Sequence, residues 1–143
     1  MTLDYEPVQE FEAMGLTVPY PDDPFEIRNG PFYCGKNAEG DTVVAIKIGS
    51  MQCNSNMVVH GGCLMTLADL AVCYKAIESD PKLRSVTVSL TANFLSPVQE
   101  GATLFAYPRV NRRTKRMAFV DVRITDGAFD VFTGSALIRV LSR

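Results

Sequence analysis

The stretch Cys63-Leu64-Met65-Thr66-Leu67-Ala68-Asp69-Leu70-Ala71-Val72-Cys73 carries one charge, Asp69, in an otherwise almost wholly apolar run that directly follows His60-Gly61-Gly62. Apolar residues at nearly every helical phase predict a helix from about Gly61 to Ile77, covered on most of its sides. Ser79-Asp80-Pro81 closes it, because proline cannot continue a helix. A carboxylate in the middle of such a helix costs several kcal/mol unless its desolvation is compensated. Asp69 is too deep in the run to be an N-cap, and no Lys or Arg lies one turn to either side of it. It is therefore either a structural aspartate bonded to a partner elsewhere in the chain or a catalytic carboxylate facing a pocket.

Upstream, residues 1–30 are rich in Pro, Asp and Glu and contain the turn cluster Pro19-Tyr20-Pro21-Asp22-Asp23-Pro24. They predict an N-terminal extension made of a short helix near Val8–Met14 and a loop, ahead of a main domain at 31–143. Gly30-Pro31 opens a strand, Phe32–Gly35. A turn at Asn37-Ala38-Glu39-Gly40 joins it to a second strand, Thr42–Ile48. Downstream, Val86–Phe94 alternates, with apolar side chains on one face and Thr87, Ser89, Thr91 and Asn93 on the other. Strands at Thr103–Val110, Met117–Thr125 and Val131–Leu141 follow, separated by turns at Glu100-Gly101, Arg112–Lys115 and Asp126-Gly127. Two strands, one helix that is apolar nearly all round, then four antiparallel strands predict an α+β hotdog fold. Its antiparallel sheet of five to six strands wraps around one long central helix.

Composition narrows the function. The chain has 143 residues, 47% hydrophobic and 21% charged, which fits one soluble globular domain with little disorder. A net charge of -2 gives no footprint for nucleic acid. No apolar stretch reaches the length of a bilayer span, and the first residues lack a signal core, so a cytoplasmic location is the expectation. Cys34, Cys53, Cys63 and Cys73 match no zinc spacing, so reduced, buried thiols are expected, with no metal.

Gly61 and Gly62 stand at the start of the helix, where the first amides have no internal partner and carry the positive end of the dipole. That suits a developing oxyanion, and glycine admits a carbonyl close to the backbone. Gly61 and Asp69 are eight residues apart, about 12 Å along a helix axis. An oxyanion donor and a group that activates water must both come within about 3 Å of the reacting atoms. Two such helices packed antiparallel in a twofold dimer meet that requirement, so an active site at the dimer interface is expected.

Asn54, His60-Gly61-Gly62, Asp69, Val86-Thr87-Val88 and Phe94-Leu95-Ser96-Pro97 together resemble the hotdog acyl-CoA thioesterases of the phenylacetate-degradation (PaaI-type) group, within the 4-hydroxybenzoyl-CoA thioesterase superfamily. The likeness runs from about Asn54 to Leu141. It implies hydrolysis of a thioester to a carboxylic acid and free coenzyme A, with coenzyme A present only as part of the substrate and no other cofactor. It also implies that the Gly61 amide forms the oxyanion hole, that Asn54 polarises the thioester or positions water, and that Asp69 is general base or nucleophile with Thr87 beside it. His60 orients the loop, and Gly62 lies against the substrate. Met57 and Thr114 depart from the pattern, each standing where relatives carry glycine.

Arg109, Arg112, Arg113, Lys115 and Arg116 concentrate positive charge in an acidic protein. They form a solvated hairpin or, at Arg112 and Arg113, a grip on the coenzyme A phosphates. Phe94, Phe105 and Phe119 are expected in the core or at an interface rather than lining an acyl pocket. The expected partners are an acyl-CoA and a second copy of the chain, with a dimer of dimers left open. Two rivals stand beside the thioesterase. One is a hotdog hydratase or dehydratase using His60 with Asp69; the other is a hotdog protein that binds acyl-CoA without turning it over.

Overall fold

The computed structural model describes residues 5–143. Two short helices, α1 (Gln9–Ala13) and α2 (Pro24–Asn29), precede strands β1 (Tyr33–Lys36) and β2 (Thr42–Lys47). A 3₁₀ turn at Ser50–Gln52 leads to helix α3 (Gly61–Ile77). Four strands follow: β3 (Leu83–Phe94), β4 (Thr103–Arg113), β5 (Met117–Thr125) and β6 (Asp130–Ser142). All six strands form one antiparallel sheet in the order β1-β2-β4-β5-β6-β3.

The sheet curls around α3, which packs against β2, β3, β4, β5 and β6. Leu67, Ala68, Ala71, Val72 and Ala76 of the helix are completely shielded, against Ile46, Leu104, Ile124, Phe132 and Ile138 of the strands. Each fully buried Leu, Ile or Phe contributes about 1.5–3 kcal/mol, so this one helix organises the core. This is the hotdog architecture that the apolar helix predicts. The C-terminal end of α3 is tied down by polar contacts. Lys75 Nζ donates to Thr42 Oγ1 at 2.9 Å and pairs with Glu78 at 2.6 Å. Arg113 donates to the Ala76 carbonyl, one of the helix-end acceptors that has no partner within a helix.

Residues 5–30 do more than loop around the domain. Phe11 and Leu16 form a second apolar layer with Tyr33, Val43 and Ala45, on the face of β1 and β2 that points away from α3. Burial on both faces explains why β2 reads as a nearly unbroken apolar run. Helix α2 lies where the sequence predicts only loop. Asp23 caps it by accepting from the Phe25 and Glu26 amides at 2.9 and 3.2 Å, and Pro24 takes its first position.

The regular alternation expected along β3 is broken. Thr87 pairs with Ile138 and Ser89 with Leu137, so Val88 is an extra residue in a β-bulge. Leu90 and Ala92 turn inward after the bulge, and Leu83, Ser85 and Thr87 turn inward before it. Val86 and Val88 point outward, 51% and 57% exposed. Thr87 therefore does not share a face with Ser89, Thr91 and Asn93; the bulge turns it toward α3.

Candidate active site

His60 is the N-cap of α3. Its Nδ1 accepts the Gly62 amide at 2.8 Å, and its carbonyl accepts the amides of Cys63 and Leu64 at 2.8 and 3.4 Å. Among the first four amides of the helix, only the Gly61 N–H meets no acceptor among the described residues. It is a free donor at the positive end of the dipole. The sequence His-Gly-Gly has a local cause as well. A Cβ on Gly62 would stand 3.0 Å from His60 Nδ1, so a side chain there would displace the capping ring. A Cβ on Gly61 would stand 3.4 Å from Phe94 Cε1, in ordinary contact.

Gly61 lies on the wall of an open cavity of about 280 Å³ walled chiefly by Leu64, Phe94, Leu95, Pro97 and Val98. The Phe94 ring is held edge-on against Phe132, with centroids 5.3 Å apart. Of the three phenylalanines flagged in the sequence, Phe105 packs on Phe11 in the core, whereas Phe94, expected in the core or at an interface rather than on a pocket wall, is 54% exposed and lines this cavity. Phe119 is 42% exposed.

Asn54 opens the loop before the helix. Its Oδ1 accepts the Asn56 and Val58 amides at 2.9 and 3.4 Å, while its side-chain amide is free to donate. The loop closes through Asn54 N–H to the Val58 carbonyl at 2.8 Å and Met57 N–H to the Asn54 carbonyl at 3.0 Å. Met57 sits at φ +62°, the left-handed conformation that costs a side-chain-bearing residue about 1–2 kcal/mol. The glycine expected at this position by resemblance is thus a conformational requirement, which Met57 meets under strain.

Asp69 and Thr87 are brought together by α3 and the β3 bulge: Thr87 Oγ1 donates to Asp69 Oδ1 at 2.5 Å. Cys73 Sγ lies 3.1 Å from the same Thr87 oxygen. A hydroxyl has one proton, and the carboxylate takes it, so the Cys73 thiol donates to Thr87. Asp69, Thr87 and Cys73 form a polar chain in which Asp69 Oδ2 meets no donor among the described residues. Cys73 is the member that sequence reasoning missed. Its spacing of one helical turn from Asp69 was the available signal.

Neither helix cysteine is poised as a nucleophile. Burial pushes the Cys73 thiol up, and burial together with Cys53 pushes Cys63 up to about 11. All four cysteines are free. Among the described residues, no group of three or more His, Cys, Asp or Glu side chains is placed to share a metal ion. No helix among them is long and apolar enough to cross a membrane.

The basic hairpin lies at the far end of α3. Arg113 is engaged with the Ala76 carbonyl, Arg109 faces Asp121 at 3.9 Å, and Arg112 is exposed. Within one chain the free Gly61 donor and the Asp69–Thr87 pair stay two helical turns apart.

A single sheet rolled around a helix, with a free glycine amide at the helix start and a carboxylate two turns on, is the hotdog architecture with two polar groups set along its central helix. The thioesterase superfamily model matches residues 56–128, about half of the chain. A Pseudomonas aeruginosa protein assigned as an esterase is 35% identical over 78% of this chain and 84% of its own. The Escherichia coli acyl-coenzyme A thioesterase PaaI is 32% identical over 62% of this chain and 61% of its own. The solved structure of the E. coli PaaI protein superposes with a TM-score of 0.75 at 25% identity, covering 94% of this chain and 92% of that one. A Bacillus halodurans protein solved with CoA gives a TM-score of 0.70 at 26% identity, covering 77% and 74%. The chain belongs to the thioesterase superfamily, and its activity class is thioester hydrolysis.

Proposed function

We propose that this protein hydrolyses acyl-CoA thioesters in a site shared between two subunits of a twofold dimer. The observation that carries the reading is the pairing of a free Gly61 N–H with an Asp69 carboxylate on one helix, too far apart to serve one carbonyl from one chain. With the helices antiparallel, the thioester oxygen takes the Gly61 hydrogen bond, and the helix dipole stabilises the tetrahedral oxyanion. Asp69 of the partner subunit, its Oδ1 held by the partner's Thr87, presents Oδ2 to the reaction. That oxygen deprotonates the attacking water or adds to the carbonyl carbon itself, and single turnover in oxygen-18 water separates the two routes. Asn54, whose side-chain amide is free, donates to the thioester or to the water. His60 keeps Gly61 exposed by satisfying the next amide, and the Gly62 backbone lies against the substrate.

Strand β3 supports the dimer. It is twelve residues long, lies at the sheet edge and carries exposed Val86 and Val88; such an edge invites pairing with another copy. The antiparallel arrangement also sets the C-terminal end of the partner's helix, and with it the partner's basic hairpin, toward the start of this one. Since Arg113 is committed to the helix end, Arg112 is assigned to the coenzyme A phosphates. Residues 1–30 are assigned as an extension to the domain at 31–143; residues 1–4 lie outside the described residues, and Phe11 and Leu16 brace β1 and β2.

Complementation tests the reading. Gly61→Val and Asp69→Asn are each assayed alone for thiol release from acyl-CoAs, then refolded together. A mixed dimer contains one intact site if the residues act across the interface. Statistical mixing then restores about a quarter of wild-type activity. No restoration from two folded, inactive variants refutes the shared site.

A further inference from the structure

We infer that Gln52 is a positioning residue for the reaction: it fixes the backbone that aims the Gly61 N–H and fastens it to the end of α2. The inference rests on the thioesterase reading and deepens it, naming the side chain on which the proposed oxyanion donor depends. Gln52 closes the 3₁₀ turn at Ser50–Gln52 and is only 9% exposed. A side-chain amide carries an acceptor oxygen and two N–H donors on one planar head. Oε1 accepts the Gly49 N–H at 2.9 Å, and Nε2 donates to the Asn29 and Gly30 carbonyls at 3.0 and 3.4 Å. Those two carbonyls stand at the C-terminal end of α2, where a helix has no donor of its own to offer. The main-chain carbonyl of Gln52 accepts the His60 N–H at 2.8 Å. One residue thus ties together α2, the 3₁₀ turn and the N-cap of α3.

The link to the chemistry runs through His60. The Gly61 N–H lies in the peptide plane between His60 and Gly61, so its aim follows from where the His60 backbone sits. The carbonyl of that plane accepts the Cys63 and Leu64 amides, which fixes it to α3. The preceding plane ends at the His60 nitrogen, and the bond to Gln52 fixes that one to the loop. Both planes beside the N-cap are therefore held, the second by a residue whose side chain reaches 23 and 22 residues back along the chain. Other side chains do not repeat these contacts. Asparagine has the same head and falls one methylene short. Glutamate has no N–H and would set a charge against two carbonyl oxygens, and methionine fills the volume and offers neither group. Without the amide the Asn29 and Gly30 carbonyls lose their donor, the turn loosens, and the His60 nitrogen moves with it. A shift of about 1 Å at a group that stabilises a transition state costs about 100-fold in rate.

The test uses the full-length protein and the acyl-CoA that wild type hydrolyses fastest. Gln52→Met is expected to lower kcat about 10- to 100-fold per folded protein, with KM within about twofold, because the oxyanion forms after binding. Gln52→Asn carries the test if Gln52→Met does not fold. In the Gly61→Ala background the same substitution should cost less than about threefold, since an obstructed donor has no aim to lose. Losses that multiply, or an unchanged kcat, would overturn the inference. In protein labelled with nitrogen-15 glycine, the Gly61 amide resonance is expected to move in the Gln52 variant. That of Gly40, in the β1–β2 turn beside the Thr42–Lys75 contact at the other end of α3, should stay. A stationary Gly61 resonance overturns the inference whatever the rates. No thiol release by wild type refutes the hydrolase reading alone, and the resonance then decides the positioning by itself.

Discussion

Replacing Glu26 by Gln is expected to stabilise the protein above neutral pH and to do little near pH 4.5. Glu26 lies in α2, is only 7% exposed, and its Oε2 is shielded without a hydrogen-bond partner. Burial, with a smaller contribution from the nearby Asp23 charge, pushes its carboxyl from 4.5 up to about 7. Tyr20 and Cys34, also within electrostatic reach, offer no positive charge to offset it. The folded state therefore holds a proton that the unfolded chain has already released between pH 4.5 and about 7. Stability attributable to this group is complete below pH 4.5, falls as pH rises through that window, and levels off above it. Each pH unit of displacement corresponds to about 1.36 kcal/mol, so the full loss is about 3 kcal/mol, an upper figure for a group that can shift toward water. Glutamine mimics the protonated carboxyl and cannot ionise. Thermal unfolding of both proteins at equal concentration, at pH 4.5 and pH 8, checks it. The variant is expected to gain about 10 °C in Tm over wild type at pH 8 and to match it at pH 4.5. A variant no more stable than wild type at pH 8 would show that the ionised carboxylate has a partner, and would refute the argument.

Two further substitutions separate stability from activity at the site. Gly61→Ala places a methyl at an ordinary distance from Phe94, so the fold and Tm are expected to hold within about 1 kcal/mol. The methyl narrows the approach of a carbonyl to the free amide, and kcat/KM should fall by at least about tenfold, measured by thiol release. Thr87→Val removes the hydroxyl that holds Asp69 Oδ1, so kcat should fall about 10- to 100-fold with little change in KM. Thr87→Ser should recover most of it, and failure of that rescue would count against the hydroxyl's role.

The central helix was legible because Asp69 aside its apolar residues leave no polar face, and because glycine and proline mark its ends. Strands β2, β4, β5 and β6 followed from periodicity and from turns at Gly40, Gly101 and Gly127, all of which adopt positive φ. Helix α2 was missed although Asp23-Pro24 is a capping signature, because the surrounding proline and aspartate cluster reads as loop. The β3 bulge was not legible at all. Val86, Val88, Leu90 and Ala92 spell an unbroken apolar face, and only pairing with β6 shows that Val88 is supernumerary. The Asp69–Thr87 contact was reached by resemblance rather than from pattern, since by alternation alone Thr87 falls on the wrong face. Cys73 was expected only as a reduced, buried thiol because the bond that engages it joins α3 to a strand residue fourteen positions on.

The bulge at Val88 makes the position of the Thr87 hydroxyl depend on a count rather than on an identity. Between Thr87 and Leu90 the strand carries one residue more than its partner, and that surplus is what rotates the hydroxyl half a turn toward Asp69. Over evolutionary time the outward residues Val86 and Val88 are free to vary with whatever covers them. A single insertion or deletion in that short span, however conservative in composition, would turn Thr87 to the opposite face and separate it from the carboxylate. Relatives that keep this chemistry should therefore vary in what β3 displays outward and agree in the number of residues between that hydroxyl and the inward-facing position held here by Leu90.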